Sequence, residues 1–174
     1  MLTYLIVLCK DNLRKKVYNE VRDGLMSFLI SRLAIQKYDL EDDTIKLVSN
    51  HVTKESYIYK IILKSTREHI GYCDLRTGHN ISLYYLGNIG YRIFPQYRGH
   101  SYAYKASLLL FQLAQRLEMD YLIITVSPEN TASIKTIEKL GCEYVETVDV
   151  PVWHSLYRNN EKVKMIYRYN FTKD

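Results

Sequence analysis

The stretch that decides the fold is Ile93-Phe94-Pro95-Gln96-Tyr97-Arg98-Gly99-His100-Ser101-Tyr102-Ala103. A strand pattern ends at Pro95, a polar loop with one glycine follows, and the apolar spacing then predicts a long helix over about residues 101–118. The first amides of such a helix have no intrahelical partner, and together with the helix dipole they form a site for an anion, especially a phosphate. Gly99 lets a ligand approach the backbone without a Cβ, and Arg98 adds a permanent positive charge. The stretch therefore predicts a phosphate-binding loop.

Downstream of this loop the sequence predicts a strand, a second helix and two more strands. Residues 121–126 form a short apolar run, so residues 83–126 read as a strand–helix–strand unit with parallel pairing and a right-handed crossover. Asn130 is predicted to cap the second helix, and Gly141 to end it. The closing strands are expected at residues 143–148 and 165–171.

Upstream of the loop the pattern changes from helical to extended. Residues 2–8 are apolar and predict a first strand, and an apolar residue at every fourth position from Leu13 to Leu33 predicts one or two helices. Residues 57–63 are β-branched and aromatic, as in a strand buried on both faces. Residues 70–76 and 83–94 continue what is expected to be an antiparallel meander.

Composition restricts the class of protein. The length of 174 residues predicts a single domain spanning residues 1–174, and the hydrophobic fraction of 47% excludes a disordered chain. The net charge of +5 is spread along the sequence, so we expect no nucleic-acid partner. The three cysteines are widely spaced, which favours a reducing, cytoplasmic setting and predicts no metal site. No apolar run approaches the ~20 residues of a membrane span.

Two motifs, one at residues 96–101 and one at residues 130–142, stand in the predicted order and resemble those of the GNAT acetyltransferases. The blocks Gly71-Tyr72-Cys73-Asp74-Leu75-Arg76 and Gly87-Asn88-Ile89-Gly90-Tyr91 also resemble a bacterial subgroup of that superfamily. The loop Gln96-x-x-Gly99-x-Ser101 is similar to the Q/R-x-x-G-x-G/A signature of that family. Asn130-x-x-Ser133-Ile134 and the following Glu138-Lys139-Leu140-Gly141-Cys142 are similar to its second segment. The resemblance implies an α/β, single-domain GNAT-like fold, in which helices flank a mixed central sheet of about seven strands in the order β-αα-βββ-α-β-α-ββ.

The same resemblance implies acetyl-CoA as co-substrate and an amine as acceptor, either a small molecule or a peptide. Loop amides would hold the diphosphate of the co-substrate, a strand backbone would pair with its pantetheine arm, and two residues of the second motif would lie near that arm or the adenosine. The implied cofactor-binding residues are Ile93, Phe94, Arg98, Gly99, His100, Ser101, Tyr102, Ala103, Asn130 and Ser133.

Catalytic residues are less clearly indicated. Ile137 stands where many members of the family have a tyrosine that protonates the departing thiolate. Candidates for acid–base chemistry are Asp74, His79 and His154, the last as part of an acceptor pocket. The Phe94 amide is expected to polarise the thioester carbonyl. Tyr91 and Tyr102 are both possible cleft residues, because strand alternation alone leaves their direction open.

Two other functional classes remain open at this point. The absence of the usual tyrosine at Ile137 is compatible with a domain that binds acyl-CoA as a sensor without turnover. The 17 tyrosines and the positive charge are compatible with an RNA-binding module, but the sequence lacks the K/R-G-F/Y motif and the clustered basic face expected of one. Neither the acceptor nor the choice between monomer and homodimer follows from the sequence.

Overall fold

Residues 39–171 are the part of the chain that the computed structural model describes. The predicted first strand at residues 2–8 and the helical stripe from Leu13 to Leu33 lie outside this part. None of the helices within residues 39–171 is long and apolar enough to cross a membrane.

The first half of the described chain forms an antiparallel sheet in which neighbours along the chain are neighbours in space. Its five strands are β1 (Leu40–Glu41), β2 (Ile45–Val52), β3 (Ser56–Leu63), β4 (His69–Arg76) and β5 (Ile89–Ile93). The prediction that β3 is buried on both faces is wrong, because Tyr57, Tyr59 and Ile61 are buried whereas Lys60 between them is exposed. This alternation is the ordinary result of packing one face of an antiparallel sheet against a helix.

The second half forms a smaller antiparallel sheet and most of the helices. Its strands are β6 (Tyr121–Val126), β7 (Glu143–Asp149) and β8 (Val163–Asn170), with β8 in the middle. The helices are α1 (Ile81–Leu86), α2 (Tyr102–Arg116), α3 (Thr131–Lys139) and α4 (Ser155–Arg158). Helix α2 packs on β2, β4 and β5, and its inward face is fully buried at Ala106, Leu110 and Ala114.

The prediction of one strand over residues 83–94 is wrong, because this segment contains a helix, a turn and a strand. The Asn80 side chain accepts a hydrogen bond from the Leu83 amide at 2.9 Å and caps α1. Gly87 ends the helix with a φ of +82°, a left-handed conformation that a residue with a Cβ rarely adopts. The cap and the glycine together override the strand propensity of the apolar run between them.

The α/β architecture is confirmed, but the predicted parallel pairing is not present in the described residues. Strands β5 and β6 belong to different sheets. They meet at Asn88, whose amide donates to the Ile123 carbonyl at 2.6 Å and whose side-chain oxygen accepts from the Ile123 amide at 2.8 Å. The expected mixed sheet is therefore two antiparallel sheets joined at one point.

Candidate functional site

A cleft opens between β5 and β6 beyond the contact at Asn88. The Asn88 side chain is 1% exposed and also donates to the carbonyls of Arg76 at 2.9 Å and Gly78 at 3.0 Å. Past Asn88, no backbone hydrogen bond joins β5 to β6 in residues 39–171. Residues 89–91 of β5 and 124–126 of β6 line a common cavity beyond this contact, so the two strands separate there.

Strand β5 presents an open backbone edge to this cleft. The Phe94 amide donates to the Ile70 carbonyl of β4 at 2.9 Å. In an antiparallel pair alternate residues bond to the partner strand, so the backbone groups of Ile89, Tyr91 and Ile93 point away from β4. The edge that an extended ligand can pair with is therefore formed by these three residues.

The same alternation overturns the prediction for the Phe94 backbone. Its amide is already paired with Ile70, so it cannot also polarise a thioester carbonyl or pair with a pantetheine arm. The Phe94 ring packs against His69 and Tyr72, with centroids 5.1 and 5.9 Å apart, on the far side of the strand end. The sequence indicated the correct strand end but could not indicate which residues face the cleft.

The loop that begins α2 leaves a run of amides without partners. Residues Pro95–Tyr97 form a 3-10 turn, and the Arg98 amide closes it by donating to the Pro95 carbonyl at 3.3 Å. The six amides that follow, from Gly99 to Tyr104, donate to no residue in the described part of the chain. The Arg98 amide is thus already paired, whereas these six are available to an anion.

The conformation of this loop is unusual at two positions. Gly99 has a φ of +87°, and nothing lies within 4 Å of the position a Cβ would take. Ser101 has a φ of 58° and a ψ of 20°, so it too is left-handed, and its side chain makes no capping hydrogen bond. When two of three consecutive residues are left-handed, as at positions 99 and 101, the successive amides point toward one concave surface.

One cavity of about 510 Å³ gathers most of the predicted cofactor-binding residues. Those lining it are Ile93, Arg98, Gly99, Ser101, Tyr102, Ala103, Asn130 and Ser133. Phe94 and His100 are not among them, and the exposed His100 ring lies 5.5 Å from that of Tyr102. Residues from two motifs far apart in sequence therefore share one cavity.

Two of these residues are held by specific contacts. Arg98 Nε donates to the Ile93 carbonyl at 3.2 Å, which fixes the guanidinium at the end of β5 and leaves its terminal nitrogens for an anion. Asn130 caps α3, because its side chain accepts from the Ser133 amide at 3.1 Å. The predicted capping role of Asn130 is confirmed.

A second cavity of about 290 Å³ lies between the two sheets. It shares Tyr91, Asn130 and Ser133 with the first cavity. Its charged lining includes Lys164, which is 7% exposed and forms an ion pair with Glu161. A buried ammonium is tolerated because this carboxylate neutralises it.

Asp74 does not line the second cavity itself but contacts two residues that do. Its carboxylate forms an ion pair with Arg76 at 2.7 Å, and a Cβ on Gly90 would lie 2.5 Å from its Oδ1 atom. Arg76 and Gly90 both line the cavity. Burial raises the pKa of Asp74, and the positive charge of Arg76 offsets part of this effect.

The two histidine candidates lie elsewhere. His79 stacks on Tyr121 with centroids 3.9 Å apart, lines neither of the two cavities described above, and has its pKa lowered by burial. His154 is 2% exposed, and both ring nitrogens are engaged, with Leu156 and with Ser82. The interpretation of His154 as part of an acceptor pocket is therefore wrong, because it is a capping residue in the core.

The structure adds residues that the sequence did not indicate. Asn88 joins the sheets, and its only signal was a polar residue within an apolar run. The pairing of Lys164 with Glu161 had no signal, because lysines and glutamates occur throughout the chain. The direction of Tyr91 toward both cavities required the register of β4 and β5, in which Tyr91 lies opposite the buried Cys73.

The two described cysteines are unsuited to nucleophilic catalysis. Cys73 and Cys142 are free and buried. Burial raises the pKa of Cys73 well above its usual value and that of Cys142 to about 12. Neither thiol therefore forms a thiolate at neutral pH.

Comparison with known proteins agrees with this geometry. Residues 23–143 match the family described as acetyltransferase (GNAT) domain. No curated protein sequence matches the chain.

Several solved structures share the fold. A candidate ribosomal-protein-serine acetyltransferase from Vibrio cholerae is similar at a TM-score of 0.60 and 14% identity, covering 78% of this chain and 99% of that one. A candidate streptothricin acetyltransferase from Bacillus anthracis, in complex with acetyl coenzyme A, is similar at a TM-score of 0.53 and 18% identity, covering 69% of this chain and 65% of that one. A Salmonella typhimurium enzyme that modifies the N-terminal serine of ribosomal protein L7/L12 is similar at a TM-score of 0.54 and 14% identity, covering 68% of this chain and 66% of that one. Identities this low establish the fold alone.

Proposed function

The chain belongs to the GNAT acetyltransferase family, and from this premise we propose that it transfers the acetyl group of acetyl-CoA directly to an amine. The observation that carries this proposal is the set of six amides from Gly99 to Tyr104 that donate to no residue within residues 39–171. Four of these six residues line the same cavity as the open edge of β5. A diphosphate needs several converging donors, and this loop supplies them beside the positive charge of Arg98.

The path of the co-substrate follows from the two cavities. The diphosphate binds the loop amides, and the pantetheine arm extends along β5 and pairs with the backbone of Ile93 and Tyr91 as an added strand would. Asn130 and Ser133 line the opposite wall from α3. The thioester then reaches the smaller cavity between the sheets, where the acceptor amine meets it.

The reaction needs an amine without its proton and a nearby group that accepts that proton. An alkylammonium has a pKa of about 10, as lysine has, so deprotonation is a real barrier at neutral pH. We assign this role to Asp74, acting through water, because its carboxylate contacts Arg76 and Gly90, which line the inner cavity. Attack by the amine forms the C–N bond, and the C–S bond breaks as CoA departs.

The acceptor is an amine of a peptide or of a small molecule. This range is supported by the names of two structural relatives, since the Salmonella typhimurium enzyme is described as modifying a protein N-terminal serine and the Bacillus anthracis protein is named for streptothricin. A reducing cytoplasmic setting is proposed because both described cysteines are free thiols.

Calorimetry with acetyl-CoA tests the binding half of this proposal. We expect saturable binding, and Arg98→Ala should weaken it about 10- to 150-fold, because a charge-assisted hydrogen bond contributes about 1.5–3 kcal/mol. Arg116→Ala is the matched control, since this exposed arginine ends the same helix on the side away from the loop. Absence of wild-type binding at high micromolar acetyl-CoA would exclude the proposal.

An acceptor screen that detects released CoA tests the transfer half. Acceptor-dependent turnover is expected, and it rejects the alternative of a sensor that binds acyl-CoA without reacting. Asp74→Asn should lower kcat and leave the Kd for acetyl-CoA unchanged. Equal kcat values for the wild type and Asp74→Asn would remove Asp74 from the mechanism.

A further inference from the structure

We propose, building on the transferase function above, that Tyr91 is the catalytic acid that protonates the departing CoA thiolate. The phenol lies at the boundary between the cavity that holds the phosphate loop and the cavity between the sheets, and it lines both. Its hydroxyl is buried and makes no hydrogen bond to any residue in the described part of the chain.

The position of Tyr91 follows from strand register. Tyr91 lies directly opposite Cys73 of β4, which is buried, so the two side chains point to the same, inner face of the sheet. There the Tyr91 hydroxyl lies beside Ser133 and Thr136 of α3. The phenol therefore spans from β5 to α3, across the path between the two cavities.

The backbone of the same residue places the reacting sulfur nearby. An arm that starts at the loop after Ile93 and pairs with the open edge of β5 reaches Tyr91 two residues further along the edge. At that point it leaves the larger cavity and enters the smaller one. The sulfur at the end of the arm is thus brought to the part of the cleft that the Tyr91 side chain borders.

Few other groups can donate a proton at this boundary. Of the described residues, Tyr91 and Ser133 are the two with a hydroxyl that line both cavities. A phenol is a much stronger acid than an alkyl hydroxyl, with an ordinary pKa of about 10. Ile137, which lines the inner cavity from α3, has no proton to give.

The proton and electron balance is simple. The amine nitrogen attacks the carbonyl carbon, and the electron pair of the breaking C–S bond moves to sulfur. The Tyr91 hydroxyl gives its proton to that sulfur, which leaves as the CoA thiol. Asp74 accepts the proton that the amine loses and passes it through water to the phenolate, so no further reactant is required. Burial raises the pKa of Tyr91, so the acid is protonated at neutral pH.

Removal of the Tyr91 hydroxyl is expected to separate an effect on catalysis from an effect on stability. Tyr91→Phe removes a buried oxygen that has no hydrogen-bond partner within residues 39–171, so the urea midpoint should stay the same or rise. The single-turnover rate of acetyl transfer should nevertheless fall about 100-fold or more, with the Kd for acetyl-CoA unchanged within about twofold. Tyr144→Phe is the matched control, because the exposed Tyr144 hydroxyl bonds only to Thr147 and its loss should change neither quantity.

A second variant separates acid catalysis from a packing effect. A fluorinated tyrosine at position 91 has a more acidic phenol of nearly the same shape, so the pH above which the rate falls should move downward. The role of Tyr91 is overturned if the wild type is active and Tyr91→Phe retains a rate within about threefold of it. It is also overturned if Ser133→Ala loses the rate while Tyr91→Phe does not. Either result leaves the transferase function intact. A wild type that binds acetyl-CoA but releases CoA with no acceptor overturns both.

Discussion

Asn88 is expected to be the residue whose loss most weakens the junction of the two sheets. Asn88→Ala removes three side-chain hydrogen bonds, to the Ile123 amide and to the carbonyls of Arg76 and Gly78. The buried Ile123 amide then has no partner, which costs about 1–3 kcal/mol, and each lost bond to a carbonyl costs about 0.5–1.5 kcal/mol. The free energy of unfolding should therefore fall by about 2–6 kcal/mol.

Urea denaturation followed by circular dichroism measures this change, with Asn80→Ala as the matched control. Asn80 also uses its side-chain oxygen to accept from a backbone amide, but this cap is exposed and makes one such bond, at 2.9 Å. Its loss should cost about 1 kcal/mol. The slope of free energy against urea should be unchanged in both variants, because the folded state is the same.

Asn88→Asp adds a dependence on pH. The carboxyl oxygen can still accept from the Ile123 amide, but the other oxygen faces two carbonyls that the amide group used to bond. Burial and these carbonyls raise the folded-state pKa of that carboxyl above its unfolded value. This group therefore favours folding below its unfolded pKa, and that contribution is lost as the pH rises through the folded pKa.

The reasoning about the junction fails if Asn88→Ala lowers the free energy of unfolding by no more than Asn80→Ala does. The junction would then not depend on Asn88.

Three further outcomes are expected. In Gly90→Ala the new Cβ would lie 2.5 Å from Asp74 Oδ1, so the carboxylate must move. We expect kcat to fall and the Kd for acetyl-CoA to stay the same. An unchanged kcat would argue against Asp74 as the proton acceptor. Ser101→Gly should raise the free energy of unfolding by about 0.5–1 kcal/mol in urea titrations, because a left-handed non-glycine residue is strained; a loss of stability would contradict that conformation. Iodoacetamide at pH 8 should leave Cys73 and Cys142 unlabelled in the native protein and label both after unfolding, as mass spectrometry of the peptides would show; rapid native labelling would refute their burial.

Local signals predicted much of the chain correctly. The strand Tyr121–Val126 has the predicted bounds, and α3 begins after the predicted cap Asn130. Gly141, predicted to end α3, follows it with a φ of +79°. These features depend on residues within a few positions of one another, which is the range over which capping, glycine conformation and apolar periodicity act.

The sequence by itself determined that a free helix start would follow a strand, because the proline, the glycine and the helical spacing after Gly99 are all local. It also determined, through two motifs in register, the family to which the chain belongs. Only the tertiary structure decided which atoms face the cleft. The Phe94 amide is paired with the Ile70 carbonyl, His154 is buried as a helix cap, and the Tyr91 side chain points to the inner face of the sheet. Strands and helices distant in sequence determine all three. A one-residue change of register reverses every side chain of a strand, and that register is fixed by pairing between strands, beyond the reach of any local pattern.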